Sequence, residues 1–317
     1  MQQITFYRHG VSVATVARQQ EGGGKRGEAS GWSKGASRRN IQFLRSIDER
    51  RLDGVHFCIS LTLRDCPPNA AVWEALRLRF VERMRRAGMI RLHWVVELQR
   101  RGVPHLHGLI GFPDGVDAGA MAKMIVNAWL QVTAVYKSGP QSQHVREWDT
   151  SMAWAEYLGK HSGRRGAHYQ RSGLPEGWEK SGRVWGHLGE WPLQEPERLL
   201  VQNERGNQIR RVMRSYSVAV ARQRVHQHPV GGDGWSDRQG VERIHAREQF
   251  SGSGKQLRGL LQGLRFARRM LQARERKLGE VRGVSEWSPP SMNEHLATRV
   301  RAWAEVDGRE ASPSRLL

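Results

Sequence analysis

Hydrophobic and polar residues alternate with a period of two in several segments, and this pattern predicts β-strands. In segment 56–63 (HFCISLTL) the odd-numbered positions are apolar and would face one side of a sheet. Segments 91–99 and 105–112 also alternate, with their apolar residues at even-numbered positions. The five residues between them, RRGVP, have a length typical of a hairpin connection. Shorter strands are predicted at 182–186 and 197–203.

Apolar residues spaced by three or four predict two longer helices. Their stripes are Trp73, Leu76, Phe80 and Met84, ended by Gly88, and Met121, Ile125, Trp129 and Val132. A basic helix is predicted at 205–226, and short helices are predicted at 41–47 and around Tyr157, the latter with Thr150 or Ser151 as the N-cap. This mixture of strands and helices predicts an α+β fold in which helices pack on an antiparallel sheet.

Composition shifts divide the chain into three predicted parts. Residues 20–40 are rich in Gly, Ser and basic residues and are interpreted as a loop or as an arm that orders on binding. Residues 1–50 as a whole are interpreted as a basic N-terminal arm. Residues 51–228 hold the predicted α+β domain. Residues 229–317 are predicted to be a basic, partly helical C-terminal region, with an apolar stripe at Leu257, Leu261, Leu264 and Leu271.

The charge of the chain predicts a polyanionic partner. The 317 residues include 51 Lys and Arg against 31 Asp and Glu, a net charge of +20. The excess is present in residues 1–50, 51–194 and 195–317 alike, so the whole chain is expected to lie near phosphate groups. Nucleic acid is the default candidate for such a partner.

Other features of the composition exclude several classes. No apolar run approaches the roughly 18 residues that a membrane-spanning helix needs, and the N-terminus has no apolar signal core. The two cysteines, Cys58 and Cys66, match no disulfide framework and no zinc-ligand spacing. These features predict a protein of a reducing cytoplasm that has no membrane partner.

Candidate chemistry is concentrated in the predicted hairpin. His105 and His107 flank Leu106, so both imidazoles would project from one face of their strand. If the turn centres on Gly102, Glu97 lies across from His107 on the same face. Two imidazoles and a carboxylate could hold an octahedral divalent cation with open positions, whereas a closed zinc site would want a fourth ligand. The alternative, that these are ordinary surface or core histidines, stays open from spacing alone.

A second candidate is the segment AEYLGK. Tyr157 and Lys160 lie three residues apart, on one face of the predicted helix. A tyrosine hydroxyl has a pKa near 10, so it would act as a nucleophile only with help from a metal ion or a nearby ammonium group. A packing role for Tyr157 is the alternative from this motif alone.

Together these motifs resemble the His-hydrophobe-His (HUH) endonucleases. The segment WVVELQRRGVPHLHGLIGF is followed about 50 residues later by AEYLGK, and HFCISLTL stands where that family has its first motif. The closest likeness is to rolling-circle replication initiators of filamentous phages and related plasmids, and it covers about residues 31–215. The resemblance implies that 51–228 is an endonuclease domain in which Glu97, His105 and His107 bind Mg²⁺ or Mn²⁺. It also implies that Tyr157 is the nucleophile and Lys160 its basic partner, with Tyr169 as the nearby alternative nucleophile.

The resemblance implies a replication function. Such a protein nicks and rejoins single-stranded or extruded origin DNA, and leaves a 5′-phosphotyrosyl link and a 3′-OH primer for a host polymerase. Gly159-Lys160 and Gly254-Lys255 are not followed by Ser or Thr, so no phosphate-binding loop is predicted and a host helicase would unwind the duplex. The sequence leaves the oligomeric state and the origin sequence open.

Two other functions are consistent with the same sequence. One is a plasmid relaxase or a single-tyrosine transposase, which would use the same chemistry. The other is a basic single-stranded nucleic-acid-binding protein without catalysis, in which some of the twelve tryptophans stack on bases.

Overall fold

The computed structural model describes residues 1–16, 31–149, 152–159, 174–179, 181–213 and 284–311. The chain forms two compact units, one from residues 1–20 and 195–317 and the other from residues 21–194. Each unit contains an antiparallel sheet with helices, so the predicted α+β class is confirmed. In chain order the elements are β1 (Gln2–Tyr7), β2 (Gly10–Thr15), α1 (Lys34–Ser46), β3 (Val55–Thr62), α2 (Ala70–Arg86), β4 (Arg91–Leu98), β5 (Pro104–Phe112), α3 (Ala118–Val132), β6 (His144–Glu147), α4 (Ala153–Leu158), β7 (Trp185–Leu188), β8 (Glu197–Val201), β9 (Val284–Trp287) and α5 (Pro290–Ala311).

The larger unit is built on a five-stranded sheet in the order β6-β3-β5-β4-β7. One face of this sheet packs against α2 and α3 and forms the main core. Phe57, Trp94, Leu106 and Ile110 come from the strands, and Trp129 from α3; all are at most 2% exposed. Each such side chain stabilises the fold by roughly 1.5–3 kcal/mol through burial. The predicted strand faces are therefore confirmed, because the positions expected to be apolar are the buried ones.

The smaller unit joins the two ends of the chain. Its sheet has the order β8-β1-β2-β9, and Ile4, Val11 and Val13 lie in an apolar cluster with Leu296 and Val300 of α5. Residues 203–213 are helical and add Ile209 and Met213 to that cluster. An isolated hairpin such as β1-β2 buries too little apolar surface to be stable alone, which explains its pairing with distant strands.

This arrangement differs from the domain boundaries drawn from composition. Residues 2–15 form a hairpin inside a sheet, so residues 1–50 are not simply a basic arm, and α1 belongs to the larger unit. Within residues 229–317, β9 and α5 belong to the same unit as β1. The domain end predicted at residue 228 is replaced by one near residue 194. The cause is long-range strand pairing, which composition along the chain does not record.

Several local predictions are also corrected. Helix α1 begins at Lys34 rather than at residue 41, because Ser33 caps it by accepting a hydrogen bond from the Ala36 amide at 3.0 Å. Helix α4 has Met152 at its N-cap position and no side-chain cap there. Strand β6 was not predicted. Thr150, Ser151, the second half of segment 205–226 and the leucine stripe at 257–271 lie outside the described residues.

Among the described residues, no helix combines the length and the apolar character needed to cross a bilayer.

We predict that Ile4→Ala destabilises the smaller unit by about 2–5 kcal/mol, because Ile4 of β1 is fully buried in the apolar cluster that includes Leu296 and Val300 of α5, and its truncation leaves a cavity. Leu200→Ala is the matched control: Leu200 lies on β8, beside Gln3 of β1, but is 51% exposed, so its loss should cost only about 0.5 kcal/mol or less. Hydrogen exchange of peptides from 2–15 and 290–306 measures both changes. Equal effects of the two substitutions would contradict the described core.

Candidate active site

The register of the β4-β5 hairpin sets the site. Glu97 pairs with His105, and Val95 pairs with His107. The predicted pairing of Glu97 with His107 was therefore wrong by two residues along the strand. The turn explains the difference, since the Gln99 amide donates to the Val103 carbonyl at 2.9 Å and the hairpin centres on Arg101 rather than on Gly102. A shift of two residues preserves the face of each side chain, so the three residues still converge.

Glu97, His105 and His107 form one compact group, here called the triad. One ligand atom from each lies within 4.8 Å of the others. The Glu97 Oε2 atom is 3.8 Å from His105 Nε2 and 3.7 Å from His107 Nε2. The side chains of Glu97 and His107 are 5% and 2% exposed, whereas that of His105 is 19% exposed, so solvent reaches the triad beside His105. This donor set could hold a divalent cation whose remaining positions are open.

Ser60 of β3 orients His107. The Ser60 hydroxyl lies 2.6 Å from His107 Nδ1, and the two residues are cross-strand partners. This contact fixes the imidazole ring so that Nε2 faces Glu97. Metal-binding histidines are commonly held in this way through their second nitrogen. The sequence pattern placed Ser60 on the correct face but gave no sign of this role.

Tyr157 is placed on the triad by α4. Its Oη atom is 3.0 Å from His107 Nε2, and the two rings meet edge to face with centroids 5.0 Å apart. Trp154 stacks on the Tyr157 ring with the ring centroids 5.0 Å apart. Its indole N–H donates to the Gly108 carbonyl of β5 at 2.9 Å. The predicted tyrosine and the predicted triad therefore meet at one point. Lys160 and Tyr169 lie outside the described residues.

His107 Nε2 can bind either the Tyr157 hydroxyl or a cation. In the tautomer in which Nδ1 donates its proton to the Ser60 hydroxyl, Nε2 carries the lone pair and can either accept a hydrogen bond from the Tyr157 hydroxyl or ligate a cation. A cation on the triad would consequently lie beside the tyrosine oxygen. A hydroxyl next to a metal-binding group is the arrangement that activates an oxygen nucleophile.

Two further buried histidines on this face of the sheet have different surroundings. Burial, reinforced by the Arg91 charge, lowers the pKa of His56 to about 4. Burial and the neighbouring His187 lower the pKa of His93 to about 3. Both are therefore neutral at pH 7. Neither is a member of the triad.

These observations define an α+β protein with a carboxylate, two histidines and a tyrosine on one face of its sheet. No protein-family model and no solved structure matches the chain. Curated proteins, in contrast, are similar to it in sequence. A protein of Xylella fastidiosa (strain 9a5c) named as a replication protein is 40% identical over 296 residues, which are 90% of this chain and 92% of the relative.

Two further relatives agree with the first. A protein of Pseudomonas phage Pf3 that is named as replication-associated is 36% identical over 295 residues, 91% of this chain and 93% of its own. A second Xylella fastidiosa protein named for replication, from strain Temecula1, is 42% identical over 229 residues, 69% of this chain and 86% of the relative. The chain belongs to this family of phage and bacterial replication proteins.

We predict that Ser60→Ala weakens Mn²⁺ binding by about tenfold to a hundredfold, because His107 loses the contact that orients it. Ser46→Ala is the matched control: it also removes a buried serine hydroxyl of the larger unit, but one that donates to the Gln42 carbonyl. Isothermal titration calorimetry gives both affinities. Equal Mn²⁺ affinities for the two variants would show that Ser60 does not support the triad.

Proposed function

We propose that this chain initiates rolling-circle replication as an endonuclease of the His-hydrophobe-His type, nicking and rejoining one strand of origin DNA. The observation that carries the proposal is the position of the Tyr157 hydroxyl, 3.0 Å from a histidine of the Glu97–His105–His107 triad. The names of the relatives, which refer to replication, support the biological setting. The triad and the tyrosine support the chemistry.

The triad fits a divalent cation. Glu97, His105 and His107 would hold it, and two imidazoles among three ligands suit Mn²⁺ better than Mg²⁺, which prefers oxygen ligands. When bound, such an ion would neutralise charge on a scissile phosphate and make the phosphorus more open to attack. The greater exposure of His105 favours entry of the phosphate from that side.

Tyr157 supplies the nucleophile. Its Oη atom would attack the phosphorus, forming an O–P bond while the bond from phosphorus to the 3′ oxygen breaks. The phenolic proton leaves the tyrosine, and the departing oxygen takes up one proton to become a free 3′-OH. One phosphodiester replaces another, so the 5′-phosphotyrosyl link can be attacked in reverse and the strand rejoined without ATP. Lys160 would lend positive charge beside the phosphate.

The substrate proposed is single-stranded or extruded origin DNA. A net charge of +20 gives strong attraction to a phosphate backbone, and the affinity should fall steeply with salt because the release of counterions then gains less entropy. The 3′-OH would prime a host DNA polymerase, and a host helicase would open the duplex in the bacterial cytoplasm.

Relaxase and transposase functions would use the same chemistry, but relatives named for replication favour an initiator. A purely DNA-binding function would not require a tyrosine placed on a buried carboxylate and two histidines.

We predict that the protein forms an SDS-stable adduct with labelled single-stranded oligonucleotides that tile the DNA flanking its own gene, when Mn²⁺ is present. Tyr157→Phe should abolish the adduct because the attacking oxygen is gone, and EDTA should do the same. Tyr136→Phe is the matched control, since Tyr136 is a half-buried tyrosine that packs on the main core, and it should leave the adduct intact.

Each outcome of this assay decides one point. Equal adduct from Tyr157→Phe and wild type would contradict the nucleophile, and adduct formation in EDTA would contradict the metal. DNA binding without any adduct would favour the non-catalytic function instead.

A further inference from the structure

Helix α4 carries Tyr157 but is too short to be stable by itself. It spans six residues, and no side chain caps its N-terminus. Isolated helices of this length are unstable in water, so its position depends on contacts with the rest of the larger unit. The Trp154 indole fixes one end to β5. A second hydrogen bond fixes the other end of the helix, at Leu158.

Asn40 of α1 makes this hydrogen bond. Its Nδ2 group donates to the Leu158 carbonyl at 2.9 Å, and the Asn40 side chain is completely buried. This carbonyl belongs to the last turn of α4, where backbone oxygens lack partners within the helix. Leu158 directly follows Tyr157, so the contact fixes the backbone on the C-terminal side of the tyrosine.

Asn40 is itself held in place by the sheet. Its Oδ1 atom lies 2.8 Å from His93 Nε2, on β4 four residues before Glu97. Because the Leu158 carbonyl can only accept, the amide nitrogen of Asn40 must face it, and Oδ1 must then accept from the His93 N–H. Phe43 stacks on His93 with ring centroids 5.4 Å apart and keeps the imidazole in position. A chain of contacts therefore runs from β4 through Asn40 to the tyrosine helix.

We propose that Asn40 is a positioning residue for Tyr157: it ties α4 to the strand that carries Glu97 and so holds the tyrosine oxygen at the triad. The contact needs one donor and one acceptor on a single short side chain. Asn provides both, whereas the isosteric Asp would turn an oxygen toward the Leu158 carbonyl and repel it. The effect on cleavage rests on the proposed function, but the effect on α4 does not.

The test uses the full chain with Asn40→Asp, and Asn40→Ala if the first variant does not fold. At saturating oligonucleotide and Mn²⁺, the single-turnover rate of adduct formation should fall roughly tenfold to a hundredfold, while the Kd for the oligonucleotide stays within about twofold of wild type. Hydrogen exchange should rise selectively in the amides of α4. Leu44→Ala is the matched control, since Leu44 is a buried apolar residue one turn along α1; it should lower stability without slowing the reaction of the folded protein.

Three results would be decisive. A wild-type cleavage rate in the Asn40 variants, or an equal loss of rate in Leu44→Ala, would overturn the positioning role. Unchanged exchange in α4 would overturn it as well. If wild type forms no adduct but α4 exchanges faster in Asn40→Asp, the proposed function fails while the anchoring of α4 by Asn40 stands.

Discussion

The antiparallel pairing of β4 with β5 is the constraint on which the site depends. Along both strands, alternate residues face the core, and Trp94, Val96, Leu106 and Ile110 are buried there. A slip of one residue between the two strands would turn either Glu97 or both histidines into that apolar core, at a large cost in free energy. Packing on one face of the sheet therefore fixes the triad on the other.

The remaining parts of the site are held by the same sheet. Ser60 reaches His107 from β3, and Trp154 attaches α4 to the backbone of β5. Asn40 connects α4 to His93 on β4. Each contact ends on a strand whose position is already set by the core, so Tyr157 and the triad meet in a fixed geometry. Such preorganisation is what the proposed transfer of a phosphodiester from DNA to Tyr157 would require.

Local periodicity was enough to predict β3, β4, β5, α2 and α3, and with them the faces of Glu97, His105 and His107. It failed where distant segments decide the outcome. The hairpin register depended on one backbone hydrogen bond in the turn, and the pairing of β1 with β8 brings together residues almost 200 positions apart. The sequence did not predict the roles of Ser60 and Asn40 for the same reason. A single Ser or Asn acquires such a role only through a partner that the fold places beside it.

The most direct test of the whole account is to identify the residue that carries DNA. The protein would be incubated with cleavable single-stranded DNA and Mn²⁺, digested with nuclease and protease, and the nucleotide-bearing peptide sequenced by tandem mass spectrometry. We expect a 5′-nucleotide on Tyr157, because that hydroxyl lies at the triad. A nucleotide on Tyr169 or on any other residue would contradict it.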